Sequence, residues 1–480
     1  MEHNRTETVN LKIDGIPVTV RTGTTILEAA KKINVKIPVL CDHPELCRRA
    51  FCRLCVVECD KRSKLVAACA AEVWEGVSVV TNNSRLMNIR KTILELILAN
   101  HPQDCLGCSR NTNCELQNLA MNLGIRQSPF GHATEKSRPQ KISGETLALE
   151  MKKCVDCGRC VEMCSDIINV DAINSSCRSI EFKISTPYGQ NLTEGPCVFC
   201  GRCASVCPVG AISHNDQTRE VSAALESGQP VVAQISPYAA AAINKNGRIK
   251  AGTVTTGKIV SALKTLGFSK VYDANFFEDI ALRETARELN RRITNQEKIP
   301  IIRGCTPGLK NFVRHYYPDL EHQVIYQTTE QVFTGYMEKS NAATVSIVPC
   351  LGKKYCVNYS LIPAEFERMI YTKGIDLPRL PEEPFDVPET ELTGEDASFS
   401  LLRAALRYTH SEGIKLIEPN LSGTKVRILL VNGMANARKI MGAIRKGHCD
   451  VALVEIRYCP ECDAVVYDEA AADSKAGSAV

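Results

Sequence analysis

Residues 154–164 read Cys-Val-Asp-Cys-Gly-Arg-Cys-Val-Glu-Met-Cys, and residues 197–208 read Cys-Val-Phe-Cys-Gly-Arg-Cys-Ala-Ser-Val-Cys-Pro. Both have the spacing Cys-x2-Cys-x2-Cys-x3-Cys, at which three thiolates of one run and the last of the other wrap a cubane [4Fe-4S] cluster. One ligand set is therefore expected at Cys154, Cys157, Cys160 and Cys207, and a second at Cys164, Cys197, Cys200 and Cys203. Structural zinc takes the same thiolates and is the alternative reading. Ser165 stands where the first run would close on proline, and 32 residues separate the runs, so an excursion is inserted between them.

Working outward, the chain has 24 cysteines in 480 residues, and its N-terminus MEHNRTETVN has no apolar export segment. Clustered thiols in a reducing compartment are metal ligands rather than disulfides. Upstream lies Cys41-x10-Cys52-x2-Cys55-x13-Cys69. Four thiolates with the central pair on one tight loop suit a [2Fe-2S] cluster, which needs two per iron; zinc is again the alternative. Cys47 and Cys59 are spare. Between these constellations runs HPQDCLGCSRNTNC (101–114), which offers His101, Cys105, Cys108 and Cys114. A histidine there is an ordinary surface residue or, in place of one thiolate, a ligand that shifts the cluster potential.

Residues 8–20 (TVNLKIDGIPVTV) alternate on both sides of Asp14-Gly15 and predict a hairpin. TTILEAAKKI (24–33) predicts a short helix capped by threonine, and together they suggest a β-grasp domain. A second helix is expected over Ser84–Ala99, and a polar linker over 127–148. From about Pro230, VVAQIS, KVYDAN, TVSIVPC, VRILLVNG and VALVEIRYC alternate with helical stretches and predict parallel α/β layers. The proline-rich acidic stretch 376–396 reads as a solvated connection, and the tail AAADSKAGSAV as disordered. The domains expected are 1–80, 81–145, 146–215 and 216–480, a multidomain α+β and α/β chain. Net charge is only +4 and no apolar run reaches membrane-spanning length. Neither nucleic acid nor membrane is an expected partner, and a cytoplasmic location is expected.

In this order, the three constellations resemble the N-terminal half shared by the large iron-sulfur subunit of respiratory complex I and the [FeFe]-hydrogenases. The run of one His and three Cys is the most discriminating piece. The later segments VVAQISPYAAAAI, PIIRGCTPGLKNFVRHYYPDL, TVSIVPCLGKKYC, KVRILLVNGMANARKI and VEIRYCPEC follow the order of the [FeFe]-hydrogenase catalytic domain. The chain thus resembles the large subunit of electron-bifurcating hydrogenases. That resemblance implies a β-grasp [2Fe-2S] domain, a His/Cys-ligated [4Fe-4S] domain, a two-[4Fe-4S] ferredoxin-like domain and an α/β hydrogenase-like domain. One [2Fe-2S] and three [4Fe-4S] clusters follow.

The family's active-site motifs are altered here. Its TSCCPxW, whose second Cys binds the cubane of the H-cluster, becomes Arg303-Gly304-Cys305-Thr306-Pro307, so that ligand position holds Thr306. Its MPCxxKxxE keeps Cys350 and Lys353 but has Cys356 at the proton-relaying Glu position. Its CxxxC and following glycine triplet become Cys459-Pro460-Glu461-Cys462 and DAVVYDE, which leaves side chains where the di-iron subsite needs room. H₂ chemistry is therefore not expected. Cys305, Cys350, Cys459 and Cys462, with Cys356 in reserve, can hold a fourth [4Fe-4S], hold zinc, or remain unligated. Cys177 and Cys449 read as ordinary small residues.

Two look-alikes carry no nucleotide reading. Gly252-x4-Gly257-Lys258 lacks the Ser/Thr of a P-loop, and VRILLVNGMANARK lacks the glycines of a dinucleotide fingerprint. No flavin or nucleotide site is expected on this chain. The resemblance implies partners instead: an FMN/NAD(H)-binding flavoprotein subunit, a thioredoxin-like [2Fe-2S] subunit, ferredoxin, and a terminal module such as an NADP-linked flavoprotein (a transhydrogenase), a [NiFe]-hydrogenase or a formate dehydrogenase. The leading expectation is an electron-conducting subunit of a cytoplasmic bifurcating complex. An active [FeFe]-hydrogenase and a hydrogenase-like redox sensor are the alternatives.

Overall fold

The computed structural model describes residues 8–60, 62, 64–130, 142–144, 146–177, 182–243, 254–325, 327–354, 358–388, 414–418, 420–421 and 424–457. Strands Thr8–Ile13 and Ile16–Arg21 form the expected hairpin, with Ile13 opposite Ile16. Asp14 (φ 49°) and Gly15 (φ 83°) both take the left-handed twist that a two-residue hairpin turn requires. Helix Ile26–Lys32 begins at a reciprocal cap: Thr25 Oγ1 accepts from Glu28 N, and the Glu28 carboxylate accepts from Thr25 N at 2.8 Å. The helix buries Ile26, Leu27, Ala29 and Ala30. The sheet runs Ile16–Arg21, Thr8–Ile13, Ser78–Val80, Val56–Cys59, Val66–Ala67, and the contact of Thr8–Ile13 with Ser78–Val80 is parallel. Trp74, the chain's single tryptophan, packs against this core beneath the Arg62 guanidinium, 4.6 Å from its ring centroid.

Helix Ser84–Ala99 starts where its sequence predicts, capped by Asn83. Its buried Arg90 donates to the carbonyls of Val56 and Thr81, both at 2.8 Å, and so ties the helix to the first sheet. The stretch 127–148 corrects the linker reading. Ile142–Ser143 and Leu147–Leu149 are strands, paired with each other, and Leu147–Leu149 also pairs with Ile212–His214. Ile142, Leu147 and Leu149 are buried, so these short strands supply a wall of the domain that carries the two cysteine runs. The excursion between the runs contains the hairpin Asn174–Ser176 and Lys183–Ser185.

Among the described residues the C-terminal half holds two larger sheets and a two-stranded ribbon, Asn420–Leu421 with Thr424–Lys425. One runs Lys270–Asp273, Val231–Ile235, Ala343–Ile347, Tyr359–Leu361, all parallel. The other runs Val324–Ile325, Ile301–Gly304, Leu453–Arg457, Ile428–Asn432 in parallel, with Ile414–Ile417 antiparallel at its edge. All five apolar runs read as strands in the sequence are strands here. The acidic stretch from 376 is not simply solvated. Leu377 is buried, Asp386 bonds both ways with the Val271 backbone, and Glu382 accepts from Thr255 at the start of helix Thr256–Leu266. A carboxylate thus sits at the P-loop look-alike, while Lys258 donates to the carbonyl of Pro378 at 2.7 Å. Residues 389–396 and the tail lie outside the described residues.

One hydrophobic core runs from the cysteine runs into the second C-terminal sheet, joining Phe199, Val206 and Val209 to Phe312, Val431 and Met434. Burying a side chain of this size stabilises by roughly 1.5–3 kcal/mol. Within the C-terminal domain Lys354 Nζ donates to Glu365 at 2.8 Å, and it also reaches the carbonyl of Asn215, after strand Ile212–His214, at 2.9 Å. Among the described residues no helix is long and apolar enough to cross a membrane.

Candidate functional site

The two cysteine runs share backbone angles at two positions between their first three cysteines. Asp156 and Phe199 lie at φ 55° and 56°, and Gly158 and Gly201 at φ 78° and 76°. Helices Arg159–Glu162 and Arg202–Ser205 follow them. These left-handed residues turn each loop so that its N–H groups face inward: Asp156 N donates to Cys154 Sγ and Phe199 N to Cys197 Sγ, both at 3.4 Å. Cys154, Cys157, Cys160 and Cys207 line one cavity, closed by apolar residues including Ile184 and Val209. The last cysteine of the second run therefore sits with the first three of the first run. Around Cys164, Cys197, Cys200 and Cys203 the same crossing holds, since Cys164 interacts electrostatically with Cys197, Cys200 and Cys203.

Burial, and then the neighbouring thiols, push Cys157 and Cys164 up to about 12, and raise Cys160, Cys197 and Cys203 as well. Buried thiols of this kind ionise only when a metal takes the proton's place. Four buried thiols around an apolar cavity fit a cubane cluster. No three of their sulfurs lie within 4.8 Å of one another, whereas the sulfurs around a single tetrahedral zinc stand about 3.8 Å apart. Among the described residues the only trio of metal-binding side chains with ligand atoms within 4.8 Å is Cys47, Glu162 and Asp166. Arg49 already pairs with both carboxylates there, at 3.2 and 3.5 Å.

In the first domain, Cys41, Cys55 and Cys69 are buried and Cys52 is half-buried. Thiol contacts join Cys41 to Cys52 and to Cys69, and Cys55 to Cys69. The contact with Cys52 lowers Cys41, and the contact with Cys69 lowers Cys55 to about 7, while Cys52 and Cys69 are raised. Two linked pairs suit a group with two metal atoms. Spare Cys59 is buried in a strand, while Cys47 and Cys177 are exposed.

His101 comes two residues after the end of helix Ser84–Ala99. Its Nδ1 lies 2.7 Å from the carbonyl of Pro102, which can only accept, so Nδ1 carries the proton and Nε2 the lone pair. That Nε2 is buried without a hydrogen-bond partner, and burial holds the ring below its ordinary pKa. A neutral imidazole with one fixed nitrogen and an unused lone pair is what a metal ligand requires. Cys108 Sγ lies against Gly210, where a Cβ would come within 2.7 Å, and Cys114 Sγ lies 3.8 Å from the carbonyl of Pro208. The His/Cys run is therefore seated directly on the turn that follows Cys207.

Arg159 is a residue the sequence reading passed over, although Cys-Gly-Arg-Cys in both runs was the available signal. Its guanidinium is buried and binds both oxygens of Glu115 at 2.7 and 2.8 Å, the carbonyl of Asp42 at 2.8 Å and that of Val206 at 3.3 Å. Gly158 faces the ring of Phe51, with 2.8 Å left for a Cβ. On the far side, Asn311 donates to the carbonyl of Cys197 at 3.2 Å, and Gly308 approaches Val198 so closely that a Cβ would lie 2.4 Å from its carbonyl oxygen.

In the C-terminal domain, Cys305 and Cys350 follow neighbouring sheets' strands Ile301–Gly304 and Ala343–Ile347, and both are half-buried. Thr306 is buried, and a Cβ on Gly352 would lie 2.9 Å from its methyl group. Lys353 pairs with buried Glu330 at 3.2 Å, and Arg303 with Glu455 at 3.3 Å. Cys356, Cys459 and Cys462 lie outside the described residues. Cys459 comes two residues after strand Leu453–Arg457, which is the parallel neighbour of Ile301–Gly304.

Residues 229–462 match the family described as "Iron only hydrogenase large subunit, C-terminal domain". Residues 90–129 match "NADH-ubiquinone oxidoreductase-G iron-sulfur binding region", residues 6–84 a 2Fe-2S cluster binding domain and residues 153–211 a 4Fe-4S dicluster domain. The chain is 31% identical to the NADP-reducing hydrogenase subunit HndD of Solidesulfovibrio fructosivorans, over 94% of this chain and 87% of that one. It is 26% identical to iron hydrogenase 1 of Clostridium pasteurianum, over 93% and 86%. Against the NADH-ubiquinone oxidoreductase 75 kDa subunit of Reclinomonas americana it is 34% identical, over 43% of this chain and 29% of that one. The thiol-lined modules and these likenesses agree: the chain belongs to the iron-only hydrogenase large-subunit family, as an iron-sulfur electron-transfer subunit of the oxidoreductase kind.

Proposed function

We propose that this chain conducts single electrons within a cytoplasmic electron-bifurcating complex and does not itself make or consume H₂. Cys41, Cys52, Cys55 and Cys69 would hold a [2Fe-2S] cluster. His101, Cys105, Cys108 and Cys114 would hold a [4Fe-4S], as would each of the two crossed sets of the cysteine runs. Cys305, Cys350, Cys459 and Cys462, with Cys356 in reserve, would hold a fourth [4Fe-4S]. Bound clusters of these types take up and release one electron at a time. The protein's part is to hold the thiolates, donate N–H bonds to their sulfurs, exclude water with apolar walls, and keep the modules in contact. The observation that carries the reading is that contact: the first three modules meet at Arg159, and the second cysteine run abuts the turn after Cys305.

Thr306 supports the absence of H₂ chemistry. It stands at the cubane-ligand position of the resembled motif, and its side chain is packed on Gly352 rather than offering a thiolate. A relative named as an NADP-reducing hydrogenase subunit supports a multisubunit setting. There an FMN/NAD(H) flavoprotein subunit, a thioredoxin-like [2Fe-2S] subunit, ferredoxin and an NADP-linked flavoprotein or other terminal module would exchange electrons with this chain. The test is to express the chain with the hydrogenase maturation machinery. Anaerobic iron content of about 14 per chain, or about 18 with the C-terminal site filled, and no infrared bands from CO or CN are expected. Such bands together with H₂ evolution would establish an active hydrogenase instead.

A further inference from the structure

We propose that Arg159 is the positioning residue that sets the potentials of three ligand sets together, as one fixed buried cation shared by the [2Fe-2S], His-ligated and Cys154/Cys157/Cys160/Cys207 sites. The inference rests on the ligand assignment above. Each contact of the guanidinium falls beside a ligand of a different set. Asp42 follows Cys41, Glu115 follows Cys114 and Val206 precedes Cys207. Arg159 itself immediately precedes Cys160.

Arginine suits this place because its planar fork can serve a carboxylate and two carbonyls at once and never loses its charge. Each ligand set gains one negative charge on reduction, so a cation held beside it favours the reduced form. Across about 10 Å at an effective dielectric of about 20, one unit charge changes such an equilibrium by a little over tenfold. Glu115 opposes this effect from the other side of the fork. The corresponding residue of the second run, Arg202, acts on Cys200 of its own set and is paired with half-exposed Glu45, and among the described residues its guanidinium bonds no second ligand set.

The test is an EPR-monitored redox titration of the full chain, loaded anaerobically. Arg159→Met should move the three sets toward the oxidised form by about tenfold, a 59 mV fall for a one-electron couple, and move the fourth set much less. Glu115→Gln should move the same three in the opposite direction. Arg159→Lys, which keeps the charge and loses the fork, should hold the potentials near those of the native chain while lowering thermal stability. A purely structural joint would not give opposite signs for the two charge removals. Unchanged potentials in Arg159→Met, or equal shifts in all four sets, would overturn the proposal. If Arg159→Met does not load, Glu115→Gln decides: an upward shift supports the shared cation and no shift rejects it. Failure of the underlying assignment shows separately, as a native chain that lacks the three N-terminal signals or reaches well under about 14 irons.

Discussion

Side by side, the runs 154–164 and 197–207 have φ angles that agree within two degrees at their left-handed positions, and each donates a backbone N–H to its first sulfur. Their surroundings differ. The first run faces the N-terminal modules through Gly158, Arg159 and Glu162, which meet Phe51, Asp42 and the Cys47 amide. The second faces the C-terminal domain, where Gly308 and Asn311 press on Val198 and Cys197. The excursion after the first run joins that face too, since Arg438 binds the carbonyl of Asn169 at 2.7 Å and stacks 4.2 Å from the Tyr316 ring. The left-handed backbone positions recur in both runs, while the side chains just outside the ligands differ in their partners, and the second run meets both the C-terminal domain and, through Arg202 and the turn after Cys207, the N-terminal modules.

Removing ligands breaks this comparison most severely. Cys160→Ala and Cys203→Ala should each lose about four irons, measured by anaerobic iron assay. Crossing sharpens it: Cys207→Ala should abolish the same EPR signal as Cys154→Ala, and Cys164→Ala the same signal as Cys197→Ala. Signals that follow the run instead would mean that each run holds its own cluster. A smaller effect is expected at the glycines. Gly201→Ala forces a left-handed alanine, at about 1–2 kcal/mol. Gly158→Ala adds a clash with Phe51, costing about 1 kcal/mol more. The urea midpoint for bleaching of the cluster absorbance should fall further for Gly158→Ala than for Gly201→Ala. The smallest change is expected for Arg202→Ala, whose half-exposed partner Glu45 makes the pair worth about 0.5 kcal/mol. A drop as large as that of the glycine variants would show that Arg202 carries more of the joint than its position implies.

Much of this arrangement was legible from spacing and period alone. Ligand spacing is dictated by the shape of the group held, so the runs and the crossing of Cys164 and Cys207 can be read from residue counts. The Asp14-Gly15 turn and the strands VVAQI and LVEIR follow from backbone preferences and apolar runs. Strands Ile142–Ser143 and Leu147–Leu149 were missed because two or three residues show no alternation and sit among polar neighbours. The stretch from 376 looked solvated because its acids are bound to backbone amides and Lys264, contacts that composition does not reveal. Arg159 was overlooked for a related reason: its partners lie 117, 44 and 47 residues away in the chain.

Trp74 has a practical consequence for anyone following this chain in solution. It is the sole indole in 480 residues, and it packs against the core of the first domain, five positions after Cys69. Selectively excited emission therefore comes from one module. If the Cys41/Cys52/Cys55/Cys69 set holds the proposed [2Fe-2S] cluster, energy transfer to that coloured centre would quench this emission, and loss of the cluster would restore it. The chain thus carries a built-in optical probe placed in its first module, with no label attached.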